Sequence, residues 1–180
     1  MPERLLRVAH TSELEPALLE ALHAMLVEVF EGGFDAHDWE HGLGGIHAIA
    51  LSEDGEPVGH ASVVQRRLLH GGRALRTGYV EAVGVRREAR RRGHANALME
   101  AIERVIRGAY EVGALSASDA AIPLYTARGW LPWQGETYAL GPAGRIRTPE
   151  DDDSVHVLEL AQPLDRAGEI ACDWREGAVW

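Results

Sequence analysis

The 180-residue chain contains no lysine; all 18 of its basic side chains are arginine. No folding rule forbids lysine, so this absence reads as a high-GC codon bias. A single cysteine, Cys172, excludes an internal disulfide framework and any zinc site built on cysteine pairs. No run approaches the roughly 20 apolar residues that cross a bilayer, and Met1-Pro2-Glu3-Arg4 does not open a signal peptide. A cytoplasmic protein with no membrane partner is therefore expected. The nine histidines form no His-Glu-x-x-His or similar spacing, so no metal is expected. No internal repeat, low-complexity linker or second domain is evident, and residues 1–180 read as one domain with a substantial core.

What is present is acid, with a net charge of −10 from 28 acidic and 18 basic residues. The charge is uneven. Residues 86–107 carry Arg86, Arg87, Arg90, Arg91, Arg92, Arg104 and Arg107 against Glu88, Glu100 and Glu103. The rest of the chain is strongly acidic, with its sharpest run at Glu150-Asp151-Asp152-Asp153 and a second group at Asp35, Asp38 and Glu40. Such a balance disfavours nucleic acid and suits a cationic ligand. The arginine cluster has neither a basic stripe beyond it nor aromatic interleaving, so no nucleic-acid partner is expected.

Periodicity gives alternating strands and helices. Arg4–His10 reads as a strand, and Ser12 to Glu15 has capping-box spacing before a helix from Pro16 to Phe30. Phe34–Gly45 reads as a polar loop. Ile46–Leu51 and Val58–Leu68 form a hairpin across Asp54-Gly55, and Gly71-Gly72 turns the chain into a long strand, Ala74–Val85. Gly93–Ala109 has helical apolar spacing and is expected to stop at Gly113. A strand at Ala114–Ala117, a short helix at Ala120–Ala127 and strands at Trp130–Trp133 and Val155–Leu160 follow. Gly141–Thr148 reads as a loop, and the tail after Gln162 is unassigned.

Two segments carry chemistry. Arg90-x-x-Gly93-x-Ala95 follows a strand and opens a helix, where unpaired N–H groups and the positive end of the dipole bind phosphate. It resembles the Arg/Gln-x-x-Gly-x-Gly/Ala signature of the GNAT superfamily of acyl-CoA-dependent N-acyltransferases. Ala121-x-x-Leu124-Tyr125-x-x-x-Gly129-Trp130 resembles that superfamily's second motif. The flanking strings Asp38-Trp39-Glu40-His41, Arg76-Thr77-Gly78-Tyr79-Val80-Glu81, Arg107-Gly108-Ala109-Tyr110, Gly129-Trp130-Leu131-Pro132-Trp133 and Cys172-Asp173-Trp174-Arg175-Glu176-Gly177-Ala178-Val179-Trp180 are similar to aminoglycoside 2′-N-acetyltransferases over nearly the whole chain.

The resemblance implies an α/β (α+β) acyltransferase fold, a mixed and mostly antiparallel sheet flanked by helices, with acetyl-CoA as cosubstrate. It places coenzyme A against Val83, Gly84, Val85, Arg90, Arg91, Arg92, Gly93, His94 and Ala95. By itself, Glu81 within an apolar strand is either an edge residue or a base facing a cleft; the resemblance implies the base, deprotonating the substrate ammonium directly or through water. It makes Tyr125 the proton donor to the departing thiolate, on the premise of an ordinary phenol pKa of about 10. Substrate contacts are implied for Asp38, Glu81, Ala82, Ser116, Asp151, Asp152 and the Trp180 carboxylate. Dimers are usual in the family, so a homodimer is expected. Two acids of better-known members are missing, at Gly33 and Ala178, which points to a less polycationic aminoglycoside such as kasugamycin. The competing readings are a related enzyme acetylating a polyamine, peptide or protein amine, and a non-catalytic acyl-CoA-binding module.

Overall fold

The computed structural model describes residues 5–180; Arg4, expected to begin the first strand, lies outside them. The chain forms two compact units, Met1–Val64 with Val80–Val105, and Gln65–Tyr79 with Ile106–Trp180. Two long strands, β3 (Pro57–His70) and β4 (Arg73–Val85), contribute to both.

In the first unit, β1 (Leu5–His10) pairs antiparallel with β2 (Ile46–Leu51), and β2 with the start of β3. Gly55, at φ +84, closes the β2–β3 turn as the Asp-Gly pair predicts. Helix α1 (Pro16–Val29) starts on Pro16, whose missing N–H costs nothing at that position. Leu22, Met25 and Leu26 bury one face of it in a core with Leu14, Phe34 and Ile49. The expected Ser12–Glu15 capping box does not form. His10 instead caps a 3-10 turn, Thr11–Glu13, and Glu13 returns a carboxylate to the His10 N–H at 2.7 Å. The expected loop before β2 contains a helix, α2 (Ala36–Gly42). Asp35 accepts from the His37 and Asp38 N–H groups, and Asp38 accepts from the Asp35 N–H at 2.9 Å. A reciprocal cap thus stabilises a helix too short to show apolar periodicity.

Helix α3 (His94–Ala109) follows β4 as expected, with Leu98, Met99, Ile102 and Ile106 buried. Gly113 does not terminate it; it lies inside β5 (Val112–Ser116), where a Cβ would come within 2.9 Å of the buried Trp130 ring. In the second unit the strand order is β6 (Leu131–Pro132), β9 (Val155–Glu159), β5, β4, β3, β10 (Ile170–Asp173), β7 (Thr137–Gly141), β8 (Gly144–Arg147). The sheet is mixed: β4–β5 and β10–β7 are parallel, and β5–β9, β6–β9, β10–β3 and β7–β8 are antiparallel. The segment expected as a loop at 141–148 is mostly the β7–β8 hairpin, and the unassigned tail supplies β10. A short helix, α4 (Ile122–Ala127), carries Tyr125. No helix among the described residues is long and apolar enough to cross a membrane.

Candidate active site

The first unit holds the end of β4 and the head of α3. Glu81 is half-buried on β4. The next residue, Ala82, has φ +50, a left-handed conformation that costs a residue with a Cβ about 1–2 kcal/mol. Side chains from β3 grip both carbonyls: the Ser62 hydroxyl donates to Glu81 O at 3.2 Å, and His60 Nδ1 lies 2.8 Å from Ala82 O. Val83, Gly84 and Val85 complete the strand. A Cβ on Gly84 would meet Val29 at 3.0 Å and Leu26 at 3.3 Å, so this glycine seats α1 closely against β4.

Beyond Val85 a 3-10 turn, Arg87–Ala89, leads to the arginine cluster. Arg90 Nε donates to Val85 O at 3.1 Å, folding that side chain back over the strand end. Arg91 and Gly93 both take positive φ, +59 and +81, immediately before α3. Left-handed residues at a helix head turn successive N–H groups into one concavity. A pocket of about 240 Å³ lies there, lined by Val85, Ala89, Arg90, Arg91, Gly93, His94, Ala95 and Asn96. Guanidinium groups, a backbone concavity and the positive end of a 16-residue helix dipole suit a pyrophosphate. Seven of its eight lining residues fall within the motif or beside it. Asp38, at the third position of α2, is half-buried and caps that helix.

The second unit gathers residues that are distant in sequence. Ser116, at the exposed end of β5, donates to Ser154 Oγ at 3.1 Å, and Ser154 donates to Asp151 O at 2.8 Å. The Asp151 N–H donates to Thr148 O at 3.0 Å, and the buried Trp180 indole N–H donates to Thr148 Oγ1 at 3.1 Å. Ser116, Asp151 and Trp180 thus meet through Thr148 and Ser154. Asp151 is half-buried, and its pKa is pushed up to about 6, first by burial and then by the charges of Glu150 and Asp152. Asp152 differs. Arg147 holds it with two hydrogen bonds, and the Thr137 hydroxyl and N–H donate to it as well, so its pKa is lowered. Its carboxylate is committed to bracing β7 and β8.

Tyr125 is buried on α4 with its ring edge-on to Trp130, at 6.2 Å between centroids. Burial pushes its pKa up to about 12, which replaces the premise of an ordinary phenol. Cys172 is buried and its thiol is pushed up to about 11, mainly by burial, which leaves it protonated and a poor nucleophile. No group of three or more metal-ligating side chains occurs among the described residues.

Sequence reasoning missed Ser62, His60, Thr148, Ser154 and Arg147. Each acts through a tertiary hydrogen bond, and nothing in its local pattern distinguishes it from an ordinary strand or loop residue. Only the alternation of β3, which puts His60 and Ser62 on one face, carries a hint.

Residues 15–130 match the acetyltransferase (GNAT) family. The chain is 54% identical over 178 residues to an aminoglycoside 2′-N-acetyltransferase of Mycolicibacterium fortuitum, covering 97% of this chain and 91% of that protein. Among solved structures, Escherichia coli ElaA is similar with a TM-score of 0.61 at 18% identity, over 87% of this chain and 99% of ElaA. The Escherichia coli GNAT family N-acetyltransferase YhbS, solved in complex with CoA, gives 0.58 at 16% identity, over 93% of this chain and 88% of that one. The likeness to these two structures is one of fold. On the family match and the full-length relative, the chain belongs to the GNAT acetyltransferases and, within them, to the aminoglycoside 2′-N-acetyltransferases.

Proposed function

We propose that the protein transfers the acetyl group of acetyl-CoA to the 2′-amino group of an aminoglycoside by direct attack of the amine on the thioester. The observation that carries the donor half is the concavity at the head of α3. Gly93, the α3 N–H groups and the Arg90 and Arg91 side chains that line it together suit the pyrophosphate of coenzyme A.

The chemistry divides among few residues. Glu81 takes a proton from the substrate ammonium, directly or through water, freeing the nitrogen lone pair for attack on the carbonyl carbon. As the carbon–sulfur bond breaks, charge develops on sulfur, and the Tyr125 hydroxyl hydrogen-bonds to it. Burial, which raises the Tyr125 pKa, disfavours loss of the phenol proton, so the hydroxyl is read as a hydrogen-bond donor to the developing thiolate. Tyr125 therefore acts as a donor to developing charge, and the free thiolate takes its proton from solvent, to which the acylated nitrogen releases its second proton as the amide forms.

The acceptor is polycationic, and Asp151 is the carboxylate best suited to it. The ion is held half-buried beside Glu150 and Asp152, only partly offset by the Thr148 side chain and the Arg175 charge, and an ammonium group relieves that cost. Two opposite pH dependences follow. Without ligand, the native carboxyl binds its proton more tightly than in the unfolded chain, so its stabilising contribution is present below about pH 4 and is lost as pH rises through about 6. Ligand binding runs the other way, strengthening from pH 5 to 7 as Asp151 ionises. Calorimetric titration with the antibiotic checks this; Asp151→Asn is expected to weaken binding at pH 7 and flatten the dependence. An unchanged pH profile in that variant removes Asp151 from the site.

Gly33 and Ala178 are both exposed and supply no carboxylate. We infer a preference for a less polycationic acceptor that keeps a 2′-amine, kasugamycin being the named candidate. Steady-state thiol release with kasugamycin and tobramycin tests both levels of the reading. A kcat/KM about tenfold or more in favour of kasugamycin is expected, roughly 1.4 kcal/mol of discrimination. Equal or faster turnover of tobramycin overturns the narrower preference. Acetylation of polyamines or peptides with no antibiotic turned over overturns the whole assignment.

A further inference from the structure

The first unit contains a buried hydrogen-bond chain that the acetyl-transfer scheme does not use. Thr11 Oγ1 lies 2.7 Å from His47 Nε2, His47 Nδ1 lies 2.9 Å from His60 Nε2, and His60 Nδ1 lies 2.8 Å from Ala82 O. Both imidazoles are buried, at 0% and 1% exposure. Burial is the main reason their pKa values fall, to about 4 for His47 and about 3 for His60, so both rings are neutral at pH 7.

Neutrality fixes the direction of every bond. A carbonyl only accepts, so His60 Nδ1 carries the proton and its Nε2 must accept. The proton between the rings therefore sits on His47 Nδ1. His47 Nε2 is then an acceptor, and the Thr11 hydroxyl, which also lies 3.3 Å from Gly45 O, donates to it across the shorter 2.7 Å contact. Thr11 Oγ1 accepts in turn from the Gly44 N–H at 2.9 Å. The chain runs one way, from a backbone N–H through Thr11, His47 and His60 to the Ala82 carbonyl. Dipoles aligned head to tail reinforce one another in a buried site.

Its end point is unusual backbone. Ala82 is left-handed without being glycine, and it adjoins Glu81. In a regular ladder the carbonyls of β4 would accept from strand N–H groups. Here the Glu81 and Ala82 carbonyls accept from side chains, those of Ser62 and His60, two residues apart on β3.

We propose that His60 is a positioning residue for acetyl transfer: its Nδ1–H holds the Ala82 peptide in the left-handed turn that sets Glu81 and the strand leading to Val83, and His47 with Thr11 lock the tautomer that makes this possible. If His60 carried its proton on Nε2, two lone pairs would face each other at Ala82 O, and the turn would lose its brace. The proposal rests on the reading of Glu81 as base, and its test separates the two.

Asparagine at position 60 places an amide N–H near the position of Nδ1, whereas glutamine reaches toward that of Nε2. His60→Gln is expected to lower kcat by about 100-fold, the cost of a misplaced reacting group. Its KM for acetyl-CoA should stay within about threefold, because the phosphate concavity at the head of α3 is untouched. His60→Asn should recover most of the rate. Long-range 1H–15N correlation on the labelled wild-type enzyme should show Nδ1–H tautomers at both His47 and His60. Equal kcat for the Asn and Gln variants overturns the proposal, as does an Nε2–H tautomer at His60. Should the wild-type enzyme acetylate no aminoglycoside, the substrate reading fails. The tautomer spectrum, and kcat on whichever amine is acetylated, still decide the role of His60.

Discussion

Replacing Glu81 by glutamine is expected to lower kcat/KM for acetyl transfer by about 100- to 10,000-fold, while coenzyme A affinity stays at the wild-type level. Glutamine keeps the shape of the side chain and its half-buried place on β4 but cannot take a proton. At neutral pH the substrate amine is an ammonium with no lone pair to attack the thioester, so loss of the base falls on the chemical step. The expected range corresponds to about 3–5 kcal/mol of transition-state stabilisation. Coenzyme A is assigned to the arginine and glycine residues at the head of α3, which the substitution leaves intact. Steady-state kinetics paired with calorimetric titration of coenzyme A measure the two quantities separately. A loss of less than tenfold would remove Glu81 from the role of base. An equal fall in coenzyme A affinity would instead point to a distorted β4.

The second large effect is expected at Trp180. Its indole is 4% exposed and donates to Thr148 Oγ1 at 3.1 Å, in a cluster where Thr148 also bonds to Thr137. Trp180→Ala empties the largest side-chain volume available and removes that donor, at a cost of about 3–5 kcal/mol. For a chain of this length the melting temperature should fall by about 6–20 °C. Trp180→Phe keeps most of the bulk and loses the N–H, so it should cost nearer 1 kcal/mol. The two variants separate packing from hydrogen bonding. Thr148 also carries Asp151 through its carbonyl, so Trp180→Ala should depress aminoglycoside turnover more than Trp180→Phe. Thermal unfolding of the alanine variant within 2 °C of wild type would show that Trp180 does not anchor this cluster.

The parts of the fold that were legible in sequence are those governed by short-range physics. The capacity of α1 to start on Pro16, the Asp54-Gly55 hairpin, and the arginine-rich segment before α3 all follow from neighbours within a few residues. The failures have equally specific explanations. Helix α2 depends on the reciprocal cap between Asp35 and Asp38, which a reading for hydrophobic period passes over. Gly113 looks like a helix stop, yet the packing of Trp130 against it makes it a strand residue. Strand β10 has only four residues and takes its identity from β3 and β7, to which it is bonded on either side.

The candidate site divides in the same way. By itself the sequence determined the chemical types available: a carboxylate in an apolar strand at Glu81, guanidiniums at a helix head, a tyrosine on a short helix, and an excess of acid without lysine. These follow from composition and spacing, because a phosphate concavity needs contiguous backbone and is therefore written in contiguous residues. Tertiary structure alone decided which groups are charged, paired or braced. It committed Asp152 to Arg147, left Asp151 with a raised pKa, buried Tyr125 so that its pKa rises, and tied Ala82 to His60 and through it to His47 on the neighbouring strand. Burial and directional hydrogen bonds depend on what the chain brings from far away, and no local pattern contains that information.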